Sequence, residues 1–241
     1  MTFCQPGIYE YELQAEIEHQ FNKSGASGPA YTSIVGGGNN ACVLHYIENK
    51  DILKDGDLVL IDAGCEYENY AADITRTFPV NGKFSTEQAA IYDIVLEALE
   101  QAIEVTQSGA PYNVTNETTI KVITEGLVNL GLLQGEVSDL ITSEAHREFY
   151  MHGAGHWLGM DVHDVGDYKI DGEWRIYEPG MVVTIEPGIY ISKYNMRVEE
   201  KWRGIGVRIE DDIMITKTGN KNLTSGVPKS RKAIEELMSK T

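Results

Sequence analysis

Two stretches of this chain share one pattern. Gly56-Asp57-Leu58-Val59-Leu60-Ile61-Asp62-Ala63-Gly64 and Gly180-Met181-Val182-Val183-Thr184-Ile185-Glu186-Pro187-Gly188 each run from a glycine through a mostly apolar strand to a carboxylate. A second glycine follows two residues later in both. An isolated carboxylate at the end of an apolar strand loses several kcal/mol of solvation when it is buried. A chain that keeps that residue twice in one local frame is constrained towards two related half-folds whose acids come together. Buried carboxylates that converge usually do so around a cation.

The segments around the repeat predict what backs it. Residues 8–23 read as an amphipathic helix with Leu13, Ile17 and Phe21 at four-residue spacing. A Gly-rich turn, Gly36 to Asn40, leads to Val43-Leu44-His45-Tyr46, and Ile74–Val80 reads as the return strand of the first half. Ser85 with Gln88 three residues on is a capping-box signature for a helix whose apolar stripe runs from Ile91 to Ile103. A second helix covers 113–130, with Gly131 as its C′ residue. The Gly- and His-rich segment 150–166 reads as extended, and strands over 181–191 and 204–216 form the second unit. A short charged helix from Pro228 reads as a solvated end. Two strand-pair units backed by helices predict an α+β domain with pseudo-twofold character.

Charge narrows the function. With 20 Lys+Arg against 37 Asp+Glu the chain carries a formal −17, so nucleic acid and anionic membranes, which need a positive footprint, are poor partners. Cys4, Cys42 and Cys65 fit neither a disulfide framework nor a zinc spacing, which predicts a reducing, cytoplasmic setting. No apolar run reaches membrane-spanning length.

Four acids stand in apolar strand contexts: Asp62 and Asp73 in the first half, Glu186 and Glu210 in the second. Left unpaired, they would repel and some would protonate; two divalent cations remove that conflict. Any one of them alone reads equally well as an edge residue facing water. Strand alternation puts Arg208 on the face of Glu210. The run Met151 to Asp164 holds His152, His156 and His163, three of the chain's six histidines, among glycines that allow close approach. Oxygen-rich sites with one imidazole favour Mn²⁺, with Co²⁺, Fe²⁺ or Zn²⁺ as alternatives. His19 and His146, in helical stretches, read as surface residues.

Asp62, Asp73, His156 in Gly-His-Trp-Leu-Gly, Glu186 in Thr-Ile-Glu-Pro-Gly and Glu210 in Arg-Ile-Glu-Asp-Asp resemble the ligand set of the pita-bread metallopeptidases. The loop Ile34–Asn40, His45, Asp73–Phe78 and His152–Gly166 are similar to the Xaa-Pro aminopeptidases within that family. The resemblance implies a pita-bread fold with a curved, mainly antiparallel sheet. It also implies a single metallopeptidase catalytic domain over 1–241, without the family's usual N-terminal domain, and leaves a homo-oligomer open. It implies two metal ions, usually manganese: Asp62 on one, His156 and Glu186 on the other, Asp73 and Glu210 bridging. In that scheme a bridging hydroxide attacks the Xaa–Pro bond of proline-containing peptides, and Glu186 moves the proton. His45, His152 and His163 resemble the substrate-contacting histidines, while Arg208 and Tyr190 resemble the groups that orient Asp62; Tyr190 reads equally well as an aromatic packing on its strand.

Relatives on the same fold supply the competing readings. Xaa-Pro dipeptidases share all five ligands. Methionine aminopeptidases share them too but match less well around His152–Gly166. Metal-free relatives, whether creatinase-like or peptide-binding, typically lose ligands that this chain keeps.

Overall fold

The computed structural model describes residues 1–240. Helix α1 (Glu10–Lys23) is followed by the first strand unit: β1 (Gly28–Pro29), β2 (Ile34–Gly37), β3 (Leu58–Asp62), β4 (Cys65–Tyr67), β5 (Tyr70–Ala71) and β6 (Thr75–Pro79). Strand β3 is the spine of this half. It lies between β2 and β6, antiparallel to both, with Asp62 opposite Ile34 and Thr75. All five of its residues are buried, which is why it reads as a continuous apolar run rather than an alternation.

Helices α2 (Thr86–Val105), α3 (Asn113–Asn129) and α4 (Val137–Thr142) come next. The start of α2 follows the capping box: Ser85 Oγ accepts from Gln88 N–H, and Gln88 Oε1 accepts from Ser85 N–H. Its stripe of Ile91, Val95, Ala98, Leu99 and Ala102 is fully buried against the strands. Gly131, at φ +72°, ends α3 in the left-handed region where a Cβ is strained.

A small hairpin of β7 (Lys169–Ile170) and β8 (Glu173–Trp174) precedes the second unit. That unit contains β9 (Val182–Ile185), β10 (Gly188–Ile191), β11 (Ile205–Arg208), β12 (Asp211–Thr216) and β13 (Gly219–Asn222), and helix α5 (Arg231–Met238) follows it. Here β9 pairs with β12 and β10 with β11, all antiparallel. The two halves match where the repeat places them. Gly56 and Gly180 both take positive φ, +83° and +97°, at the turns into β3 and β9.

A buried guanidinium helps to sew the halves together. Arg76 on β6 donates to Glu210 O and Asp211 Oδ1 in the second half, and to Val227 O and Pro228 O beyond it. Lys229 adds a second cation to Asp211.

The segment 150–166 is a strap whose residues 154–158 run extended and antiparallel to β9: Glu186 N–H donates to Ala154 O, Thr184 N–H to His156 O and Leu158 N–H to Val182 O around the bridge of Trp157 with Val183. Two sequence expectations need correcting. The C-terminal helix is not merely a solvated end: Ile234 is fully buried and Arg231 pairs with Asp93 on α2. His146 is buried at 4% exposure, packed near Tyr150 in a short turn after α4 rather than on a solvated helix face.

Candidate metal centre

Each candidate acid stands at a break between strands. Asp62 ends β3, Asp73 lies between β5 and β6, Glu186 between β9 and β10, and Glu210 between β11 and β12. A break frees the backbone from the regular ladder, so its groups must find other partners. Glu210 N–H donates to Thr75 O at 3.0 Å, and Glu186 N–H donates to Ala154 O at 2.8 Å. The strap brings His156 in from the side: Thr184 N–H donates to His156 O, and His156 N–H to Thr184 Oγ1. A Cβ on Gly155 would lie 1.9 Å from Thr184 O, so only glycine lets the strap come this near.

The result is a cavity of about 470 Å³ lined by Asp62, Asp73, His156, Glu186 and Glu210, with His45, His152, His163 and Arg208 in its walls. All nine candidate site residues therefore face one space. Within it Asp73, His156 and Glu210 form the tightest group, each offering a ligand atom within 4.8 Å of the others. Glu186 Oε1 lies 3.7 Å from His156 Nε2.

The imidazoles have defined tautomers. His156 Nδ1 sits 2.9 Å from Trp157 O, and a carbonyl can only accept, so Nδ1 carries the proton and Nε2 turns its lone pair towards the acids. His152 Nδ1 likewise donates to Gly153 O, leaving Nε2 to accept from the Tyr190 hydroxyl at 2.8 Å. Tyr190 in turn accepts from Arg208 Nη1 at 3.1 Å, and Arg208 Nη2 reaches Asp62 Oδ2 at 2.6 Å. Burial, and then the charge of Arg208, push the His152 pKa down to about 4, so its ring is neutral at physiological pH.

The carboxylates show the opposite strain. Burial raises the Glu186 pKa to about 7, against the opposing pull of Arg208 and His156. Burial also raises Glu210 well above the carboxylate range, reinforced by the charges of Asp73, Glu186 and Asp62. Asp73 is raised as well, by burial first, despite the opposing influence of His156 beside it. Burial opposes charge on His156, but Asp73 and Glu186 outweigh it and the pKa rises. The protein's own groups therefore leave the cluster short of positive charge. An oxygen-rich set with one free imidazole nitrogen suits hard divalent ions.

The sequence reading misses two residues of the site. Tyr31 directs its hydroxyl at both Asp62 Oδ1 and Asp73 Oδ1, though its single proton can serve only one at a time. Thr75 Oγ1 donates to Glu210 Oε2 at 2.6 Å and accepts from Arg208 Nε at 3.3 Å, coupling a candidate ligand to the Asp62 clamp. Thr75 lies inside a recognisable motif, but only its register opposite Asp62 tells what it does; Tyr31 precedes β2 in an irregular segment and offers no spacing to read.

Comparison with known proteins identifies the family and the fold. The model of metallopeptidase family M24 matches residues 1–217. The Xaa-Pro aminopeptidase of Escherichia coli K12 is 56% identical over 238 residues, 99% of this chain and 54% of that protein. The structure of Pseudomonas aeruginosa aminopeptidase PepP superposes with a TM-score of 0.98 at 60% identity, covering 98% of this chain and 54% of that one. Escherichia coli aminopeptidase P with the inhibitor Pro-Leu gives a TM-score of 0.95 at 56% identity, over 98% of this chain and 54% of that one. The chain thus spans about half the length of the curated relatives it matches.

Proposed function

The chain belongs to metallopeptidase family M24 and has its α+β pita-bread fold, and from that membership we propose that it removes the N-terminal residue from peptides whose second residue is proline. The observation that carries this reading is the charge deficit of one cavity: Asp73, Glu186 and Glu210 are all driven towards protonation around a single free imidazole nitrogen. Two divalent cations, manganese first, would be held by Asp62, Asp73, His156, Glu186 and Glu210. Bound there, they would acidify water and polarise the scissile carbonyl.

The chain's own groups do the rest. Glu186 takes the proton of the attacking water and hands it to the departing proline nitrogen. Asp62, fixed by Arg208, faces the free amine of the substrate, which accounts for cleavage from the end of the chain. His45, His152 and His163 line the walls where the peptide carbonyl and leaving group would lie. The inhibitor Pro-Leu named with a related enzyme supports a proline-binding wall. Free Cys4, Cys42 and Cys65 fit a cytoplasmic setting, and among the described residues no helix is long and apolar enough to cross a membrane.

A substrate panel tests the proposal. The Mn²⁺-loaded chain should hydrolyse Xaa-Pro-Yaa peptides and lose that activity on chelation. Turnover of Xaa-Pro dipeptides alone would make it a dipeptidase, and activity indifferent to Mn²⁺ and chelator would overturn the metallopeptidase reading.

A further inference from the structure

From Val43 to Asp57 the chain has no helix or strand beyond a single bridge at Ile52, yet this segment carries His45 into the cavity. A segment without a ladder holds one position only if side chains supply the missing bonds. They come from α1.

Glu10, the first residue of α1, is completely buried. Its Oε1 accepts from Gly37 N–H at 2.7 Å and Asn40 Nδ2 at 3.0 Å; its Oε2 accepts from the Tyr46 hydroxyl at 2.8 Å and Asp51 N–H at 2.9 Å. No Lys or Arg pairs with it among the described residues. Four donors fill the acceptor capacity of a carboxylate that would otherwise be costly to bury. One turn along the same face, Gln14 Oε1 accepts from Asn49 Nδ2, and Asn49 Oδ1 accepts from Val35 N–H on β2. The side chain of Tyr46 is buried and that of its neighbour His45 is exposed, so the anchor that fixes Tyr46 also fixes which way His45 points.

We propose that Glu10 is a positioning residue for the cavity: its carboxylate latches Tyr46 and Asp51 to the Gly37–Asn40 turn and so sets where the His45 ring stands. The effect on turnover rests on the aminopeptidase reading; the latch itself does not.

Glu10→Gln keeps size and burial but replaces one acceptor oxygen with an amide. Either way round, that amide meets a backbone N–H, of Gly37 or of Asp51, that it cannot accept. Tyr46→Phe removes one of the four bonds and serves if Glu10→Gln does not fold. In the full chain with Mn²⁺, both should raise amide hydrogen exchange over 43–51 by about tenfold or more while α2 and α3 stay protected. On an Xaa-Pro-Yaa substrate, His45→Ala should cost roughly tenfold in kcat/KM in the parent and less than about twofold in the Glu10→Gln or Tyr46→Phe background. Unchanged exchange over 43–51, or fully additive losses, overturns the latch. A parent chain that turns over no such peptide counts against the aminopeptidase reading instead, and the exchange measurement still decides the latch.

Discussion

Asp62 receives Arg208 Nη2 at 2.6 Å and the Tyr31 hydroxyl, whereas its counterpart in the repeat, Glu186, has only two imidazole nitrogens nearby, at 3.7 and 4.0 Å. Equivalent places in two related halves have thus acquired unequal partners. The guanidinium that clamps the first acid comes from the second half, so each half completes the other's site. Asp62 is held directly by a guanidinium, whereas burial drives the Glu186 pKa up to about 7 despite the more distant charge of Arg208. Pseudo-symmetry places the acids, and the broken symmetry of their neighbours gives them different work.

The sharpest way to break this contrast is to remove the mobile proton. Glu186→Gln should lower kcat on Xaa-Pro-Yaa by about 10³-fold with the fold intact, measured by steady-state kinetics at saturating Mn²⁺. Retention of most activity would mean that the second acid is no proton carrier. On the clamped side, Arg208→Met should cost about 10- to 100-fold in metal affinity or activity, read by isothermal titration with Mn²⁺, because Asp62 loses its orientation and its charge balance together.

The pH dependence of stability reports the crowding of acids in the cavity. Groups whose folded pKa is raised stabilise the fold below their ordinary pKa and lose that contribution as pH rises through the raised value. For Glu186 the window runs from 4.5 to about 7, with Asp73, Glu210 and His156 acting in the same direction. His152 opposes them: held neutral to about 4, it stabilises above its ordinary 6.5 and loses that as pH falls through 4. The carboxylates outnumber it, so chelated protein should melt roughly 5 °C higher at pH 5 than at pH 8 by calorimetry, and Mn²⁺ should reverse the order. The smallest effect belongs to Tyr31→Phe. Its hydroxyl serves one of two acids at a time, so its removal should change stability by only about 1 kcal/mol in denaturant melts while Mn²⁺ affinity stays within about threefold.

Much of this arrangement could be read before any coordinates. The Gly-to-acid repeat names Asp62 and Glu186, and the return strand and Glu-Asp-Asp motif name Asp73 and Glu210, because an acid in an apolar strand is conspicuous. His156 stands out by its glycines. Tyr31, Thr75 and Glu10 do not, since a tyrosine, a threonine on a strand and a glutamate in a first helical turn are ordinary in those places. Their importance lies in contacts with residues far along the chain, such as Thr75 with Glu210 and Glu10 with Tyr46, which no local pattern records. His146 misled for the reverse reason: its charged neighbours point to water while its own ring turns inward.

Arg76 has a consequence for how the molecule comes apart. Its guanidinium simultaneously touches β6, the stretch just before β12 and the segment entering α5, so none of these can peel away without stranding a buried cation. Halves that look separable on the page are therefore one cooperative unit. A protease that nicked the chain near Val227 would not trim a tail; it would draw the cation's acceptors away from both strand units and unseat Glu210 from a distance.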